Sequence, residues 1–352
     1  MKNKICVIFG GESTEYEISL RSAYSVISNL DKTKYEIITV GITKDGKWFL
    51  YDGDYDNIPA DNWYNENLSE VNIAHGLKES ALMVNDGDTY KKIPFDVAFP
   101  VLHGKNGEDG TIQGLFELSG IKYVGVGVIA SACGMDKTFT KVIMQNAGIP
   151  QADWVVITNH DALNLDAKIS IIEEKLGYPV FIKPANAGSS IGIGKAKNKD
   201  ELISAINEAL KFDRKILVEE FLSGHEVECA VLGNRGDIEA SCVGEIVASA
   251  EFYTYDAKYS SSSTSELYIP AKIDDKYSQA VRDYAIKVFE ALDGKGLSRV
   301  DFFVDESKDK VWLNEINTMP GFTSISMYPK LMEASGYSYS ELLNKLIEIA
   351  QN

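Results

Sequence analysis

Residues 298–317 read SRVDFFVDESKDKVWLNEIN. Two largely apolar runs flank DESKDK at 305–310, a turn by composition. If 298–304 and 310–317 pair antiparallel, the period of two puts Arg299 and Asp301 on one face. Glu315 and Asn317 share a face for the same reason. Pairing about the turn sets Asp301 opposite Glu315 or one diagonal step away, within reach of a shared ion. Carboxylate and amide oxygens are hard donors that suit magnesium bridging phosphates, not zinc. The same pattern also fits the solvated face of an edge hairpin.

Working outward, KILVEEF, HEVECAV and IEASCVGEIVA also read as strands. A helix at about 274–292 carries Val281, Tyr284, Ala285, Val288, Phe289 and Leu292 on one stripe. Two more helices end the chain. Upstream, MDKTFTKVIMQNAG is a helix stopped by Gly148 and Pro150, PVFIKPA a strand, and KDELISAINEALKF a helix. The first third alternates. KICVIF at 4–9 is a buried strand, and Leu20, Ala23, Tyr24, Ile27 and Leu30 share a helical face. Tyr35 to Ile42 is a second strand, FDVAFPVL at 95–102 another, and 111–119 a short helix. Alternation predicts a parallel α/β unit over 1–125; 126–214 has helix–strand–loop–helix character and 215–352 is strand-rich, and runs of strands beside helices predict α+β units there.

The 352 residues are enough for two or three domains with a sizeable core. The formal net charge is −17, with 35 basic against 52 acidic residues. That excludes a protein whose main task is gripping nucleic acid or an anionic membrane, although a locally basic nucleotide pocket survives. Cys6, Cys133, Cys229 and Cys242 form no CxxC pair, so buried free thiols in a reducing cytoplasm are expected. Five apolar residues before Gly10 are too few for a signal-peptide core, and no run approaches the roughly 20 of a membrane span.

Lys183 closes a strand before PANAGSSIGIG, whose glycines and Ser189 and Ser190 could approach phosphate oxygens. The loop is not a Walker A sequence. Lys137 begins a helix, where an isolated lysine is ordinarily a solvated charge. FGGESTE lacks the GxGxxG spacing. Glu15 reads locally as a surface acid complementing a helix dipole. His103 stands where a buried strand becomes a glycine-rich loop, a setting in which a lone histidine is more often structural. Neither a Ser–His–Asp spacing nor HExxH is legible. The serine-rich stretch 251–268 reads as a loop able to close over a reactive phosphate, or as a plain surface connection.

Together, FGGESTEYEISL, HGKNGEDGTIQG, MDK, FIKPANAGSSIG, LVEEFLSGHEVECAV, FYTYDAKY, SRVDFF and NEINTMPGFTSISMYP resemble the D-alanine–D-alanine ligase family, in order along the chain. The resemblance implies a three-domain ATP-grasp fold: an N-terminal parallel α/β substrate-binding domain followed by two α+β domains clasping ATP, with a mobile loop at about 248–270. It implies a cytoplasmic homodimer that joins two D-alanines for peptidoglycan precursors. The route runs through an acyl phosphate and a tetrahedral intermediate, using ATP and two Mg2+, with Mn2+ as a substitute. Nucleic acid and membrane are not among the implied partners.

By resemblance, Asp301, Glu315 and Asn317 would hold the metal ions. Lys137, Lys183, Ser190 and Lys258 would contact ATP phosphates. Glu219 and Leu222 would meet adenine through backbone groups, and Glu226 the ribose. Glu15 would pair with the ammonium of the first D-alanine, with His103 nearby. Arg299 and the Gly321 amide would form the oxyanion site, and Ser189 and Tyr259 would join Glu15 in a hydrogen-bond network. Ser326 and Met327 would line the second subsite.

The intact Lys258–Tyr259 pair argues against a D-lactate-using relative. Met327 favours D-alanine over D-serine, but an apolar pocket rejects an added hydroxyl only about 100-fold. GITKDGKWFLYDGDYDN and HGKNGEDG resemble the D-serine branch, so that alternative stays open. Glu220 stands where many relatives carry a basic residue, and Ile325 where some carry histidine. Another ATP-grasp carboxylate–amine ligase, or a catalytically silent nucleotide binder, are further alternatives. The second is disfavoured because every matched charged position is filled.

Overall fold

The structure, a computed structural model, describes residues 2–76, 79–87, 89–189, 191–247 and 266–352. In the first third, β1 (Asn3–Gly10) runs parallel to both β2 (Tyr35–Ile42) and β7 (Val97–Val101). β3 (Trp48–Tyr51) adds antiparallel to β2. Between β3 and β7 lies a small antiparallel sheet of β4 (Val71–Ile73), β5 (Ala81–Asn85) and β6 (Tyr90–Pro94). The parallel sheet expected over 1–125 is present in β2, β1 and β7, while this meander, whose strands are too short to show a clear period, was not anticipated.

Helix α1 (Tyr16–Asn29) buries Leu20, Ala23, Val26 and Ile27 against β1 and β7. Tyr24 leaves that face, and its hydroxyl donates to Asp56 instead. Helix α2 (Thr111–Ser119) ends at Gly120, which takes the left-handed conformation of a helix stop.

Helices α3 (Val128–Met135) and α4 (Lys137–Asn146) follow. Asp136 separates them because its carboxylate caps α4, accepting from Thr138 N–H at 3.0 Å and Phe139 N–H at 3.2 Å. The single helix expected over 135–148 therefore starts later, and α3 was not anticipated.

A four-stranded antiparallel sheet comes next, in the order β10 (Gly194–Ala196), β9 (Val180–Pro184), β11 (Lys215–Glu220), β8 (Trp154–Thr158). Helices α5 (Leu165–Lys175) and α6 (Lys199–Ala209) close its core, which includes Ile157, Ile182, Leu202 and Val218. Because β11 pairs with both β8 and β9, the boundary expected after residue 214 falls inside this sheet's pairing. Conversely, Val126, Ala130, Met144 and Ile149 pack into the core of the last sheet, not this one.

That last sheet runs β14 (Glu266–Tyr268), β13 (Asp237–Val247), β12 (His225–Asn234), β15 (Gly296–Asp305), β16 (Lys310–Asn317), all antiparallel. Of the loop expected at about 248–270, residues 248–265 lie outside the described residues, and 266–268 are strand. Helix α7 (Asp275–Ala291) covers one face through Val281, Ala285, Val288 and Phe289, while Tyr284 is half-buried. Helices α8 (Met327–Ala334) and α9 (Tyr339–Gln351) pack on part of the opposite face and reach the first sheet. Ala230, Leu232 and Leu297 thereby share a core with Phe9 and Phe99. The rest of that face lines a cavity.

Among the described residues no helix is long and apolar enough to cross a membrane. All four cysteines are free; Cys6 and Cys229 are buried, and Cys133 and Cys242 only partly so.

Candidate active site

The hairpin β15–β16 supplies the floor. Asp301 lies directly opposite Glu315, and Arg299 opposite Asn317. A bulge produces this register: Phe302 pairs with Leu313 and Asp301 with Glu315, leaving Asn314 as the extra residue. Val311, Leu313 and Ile316 can then all face the core while Glu315 and Asn317 face the cavity.

Arg299 is half-buried and its guanidinium grips Asp301 with two bonds, Nε to Oδ1 at 2.8 Å and a terminal nitrogen to Oδ2 at 2.7 Å. Glu228, from β12, sits 2.9 Å from the same Nε. Burial would lower the Arg299 pKa, but the charges of Asp301 and Glu228 outweigh it and hold it well above its ordinary value. Asn317 Oδ1 is buried with no hydrogen-bond partner among the described residues.

The roof comes from the middle sheet. On β9 and β11 the residues alternate, so Ile182, Ile216 and Val218 enter the core while Lys183, Leu217 and Glu219 face the cavity. Glu219 is buried between two lysines, with one carboxylate oxygen against Lys141 Nζ and the other 2.7 Å from Lys183 Nζ. Burial alone would raise this carboxyl; the two ammonium groups pull it down to about 2. Lys183 also donates to Asn314 Oδ1 at 3.2 Å. Burial lowers the Lys141 pKa, and Glu219 only partly offsets that. Lys137, set at the first position of α4 by the Asp136 cap, points its Nζ to Ala187 O at 2.9 Å and lies 3.9 Å from Glu315.

The third wall belongs to the first sheet. Glu15 stands just before α1 and is only 8% exposed, so it is not the surface acid its local sequence suggests. Ser189 Oγ donates to its carboxylate. The carboxylate is wedged between glycines: a Cβ on Gly104 would lie 2.6 Å from Glu15 Oε2, and one on Gly188 3.0 Å.

His103 is buried, its Nδ1 2.9 Å from Met319 O and its Nε2 3.1 Å from Ser22 Oγ. A carbonyl only accepts, so Nδ1 carries the proton and Nε2 accepts from Ser22. Burial pushes the His103 pKa down against the pull of Glu15, keeping the ring neutral.

Gly321, Ser326 and Met327 line the cavity beside Arg299. Ser326 Oγ accepts from Thr323 N–H at 3.0 Å, and Met327 is mostly buried. Leu222 and Glu226 follow β11 and do not line this cavity. Ser190, Lys258 and Tyr259 lie outside the described residues.

Sequence reasoning missed Glu108, Lys141, Glu228 and Asn314, which all line the cavity. For Asn314 a signal existed: apolar residues at 311, 313 and 316 break the period of two where the bulge lies. Glu108 accepts from Gly104 N–H at 2.7 Å and Met319 N–H at 3.2 Å. Burial and the Glu15 charge push its carboxyl up to about 8.

The arrangement sets lysine ammonium groups, which could meet phosphate, beside carboxylate and amide oxygens, which could hold a hard metal. Among the described residues no group of three His, Cys, Asp or Glu could hold a metal ion. Glu315 and the Asn317 amide oxygen line the cavity and fit a magnesium-type ion whose remaining ligands are phosphate and water. Asp301 is not among the lining residues and would have to share oxygens that Arg299 already holds.

Residues 4–126 match the family pattern described as "D-ala D-ala ligase N-terminus", and 143–348 that described as "D-ala D-ala ligase C-terminus". The chain is 51% identical to a D-alanine–D-alanine ligase of Acetivibrio thermocellus, over 99% of this chain and 96% of the relative. It is 52% identical to one of a Thermoanaerobacter species, with the same coverage. Among solved structures, the VanG D-Ala:D-Ser ligase of Enterococcus faecalis superposes with a TM-score of 0.90 at 41% identity, over 99% of this chain and 100% of that one. The D-alanine–D-alanine ligase of Coxiella burnetii gives 0.84 at 35%, over 99% and 94%. A matched pattern at each end of one continuous cavity-forming fold, with full-length relatives near half identity, means that this chain belongs to the D-alanine–D-alanine ligase family.

Proposed function

We propose that this protein joins two D-alanines at the expense of ATP, forming D-alanyl-D-alanine, ADP and phosphate. The observation that carries the reading is the meeting of Glu15, Lys183, Arg299, Glu315 and Gly321, from two sheets and two connecting segments, around one cavity.

A carboxylate is a poor electrophile, so the γ-phosphoryl group first passes to a carboxylate oxygen of one D-alanine, and ADP leaves. The free amine of the second attacks the carbonyl carbon. The tetrahedral adduct collapses with the C–O electron pair leaving on phosphate, and the new amide nitrogen sheds its proton. Glu15 would bind the first ammonium, oriented by Ser189 and, outside the described residues, Tyr259. Lys137, Lys183, Ser190 and Lys258 would take the ATP phosphates. Glu219 and Leu222 would meet adenine through the backbone and Glu226 the ribose. The buried Glu219 carboxylate would also orient Lys183.

Arg299 and Gly321 N–H would stabilise the developing oxyanion. Ser326 and Met327 would bound the second subsite, and His103, saturated by Ser22 and Met319, would support the first without bonding substrate. Asp301, Glu315 and Asn317 would hold two magnesium ions, which neutralise phosphate charge when bound.

We read three units in the chain, 1–125, a middle unit that extends past 214 to include β11, and the remainder. The protein is read as a cytoplasmic homodimer, and sedimentation velocity tests the dimer.

D-Alanine is favoured over D-serine at the second subsite, because the relatives near half identity are D-alanine–D-alanine ligases and the D-serine-using one is at 41%. Phosphate release from purified protein with magnesium-ATP, with products identified by mass, tests this. D-Alanine alone should turn over and should still give mostly D-alanyl-D-alanine when D-serine competes. A dominant D-alanyl-D-serine product would move the assignment to the D-serine branch, and no turnover would remove it.

A further inference from the structure

The turn at 318–323, between β16 and α8, is held on both sides of Gly321. Met319 N–H donates to Glu108 Oε1 at 3.2 Å, and its carbonyl accepts from His103 Nδ1 at 2.9 Å. Phe322 N–H donates to Ser22 Oγ at 3.1 Å, and its carbonyl accepts from the Tyr339 hydroxyl. Thr318 Oγ1 adds a bond to Glu108 O at 3.4 Å. Pro320 has no N–H to satisfy. Among the described residues, Gly321 N–H is left without a partner while it lines the cavity.

Four flanking backbone groups are therefore pinned and the one between them is free, the arrangement a preorganised oxyanion donor requires. Ser22 closes the set: it accepts from Phe322, donates to His103 Nε2, and is fully buried. Three of the anchors, Ser22, His103 and Glu108, come from the first 125 residues, the part that also carries Glu15.

We propose that Ser22 and Glu108 are positioning residues, which hold the 318–323 turn against α1 and the 103–110 loop and so fix the Gly321 amide relative to the first amino-acid subsite. This rests on the ligase reading, and on Gly321 N–H acting at the attack step. Neither residue touches the reacting atoms. Each acts through a backbone N–H two or fewer residues from Gly321.

The test separates the two chemical steps. With ATP labelled by 18O in the β,γ-bridge, D-alanine-dependent scrambling into the non-bridging β positions reports reversible acyl-phosphate formation. Dipeptide release reports the attack. For Ser22→Ala and Glu108→Gln, dipeptide kcat should fall about tenfold or more, as loss of geometry at a reacting centre does. KM for ATP should stay within about twofold, and scrambling per dipeptide formed should rise at least about fivefold. Thermal melting identifies a variant that has not folded, and the other then carries the test. Scrambling and dipeptide formation falling in equal proportion would overturn the proposal, as would unchanged rates. Wild-type protein that makes no dipeptide would instead sink the ligase reading.

Discussion

Asp301 and Glu315 face each other across β15 and β16 because Asn314 is an extra residue in β16. The extra residue is not idle: its side-chain oxygen accepts from Lys183 Nζ at 3.2 Å, linking the hairpin to the middle sheet.

Asn314→Ala should leave the hairpin register intact and remove one anchor of Lys183. A bond to a charged donor of this kind is worth about 1–2 kcal/mol, so KM for ATP should rise by about fivefold to thirtyfold. Initial rates over an ATP series check this. An unchanged KM would separate Asn314 from the handling of ATP.

Asp301→Asn combined with Glu315→Gln should abolish divalent-cation-dependent turnover. It should also weaken Mn2+ binding in the presence of ADP, read by electron paramagnetic resonance. Full activity would remove the metal assignment.

Gly104→Ala should disturb Glu15. The new Cβ would lie 2.6 Å from Glu15 Oε2 and 2.8 Å from Ser13 Oγ, at a φ of +70°. The left-handed backbone alone costs about 1–2 kcal/mol of stability. Gly76→Ala is the control, since Gly76 has φ +78° and, among the described residues, nothing within 4 Å of such a Cβ. Gly104→Ala should lose more stability than the control, and only Gly104→Ala should raise KM for D-alanine, by about tenfold. Equal kinetics would separate Glu15 from the first subsite.

Glu219→Gln should change how stability depends on pH. The carboxyl is held at about 2 against an ordinary 4.5, so its stabilisation is fully present above pH 4.5 and is lost as pH falls through 2. The variant should be less stable at pH 7 by on the order of 3 kcal/mol, since it also leaves Lys141 buried without its counter-charge. The gap should narrow as pH drops below 4.5 in urea unfolding. A gap independent of pH would mean that the carboxylate charge is not what stabilises the site.

Met327→Ala should cost roughly 2–5 kcal/mol, as for other buried methionines. Met327 is 6% exposed and its methyl packs where a Cβ of Gly244 would be, 2.7 Å away. Urea unfolding checks the loss. A near-neutral result would free Met327 for a purely specificity-setting role.

Much of the chain was legible because its signals are local. The strands KICVIF and KVWLNEIN and the helices at 111–119 and 274–292 carry their apolar signals within one element. Short strands such as β4, and helix α3, set apart from α4 only by the Asp136 cap, carried too little periodicity to be found.

The site divides the same way. Asp301, Glu315 and Asn317 could be placed together from a turn and a period of two, because one hairpin holds them. Glu15 could not be told from a surface acid, since what buries it is Ser189, 174 residues away, and two glycines that let it sit close. Lys141, Glu108 and Ser22 left no mark in the sequence for the same reason: their partners are Glu219, Met319 and Phe322.

The sequence by itself determined the order of elements, the acidic hairpin and the succession of motifs that mark the family. Only the tertiary structure decided which charges are buried against which, because desolvation and pairing act between segments that the chain brings together only when it folds.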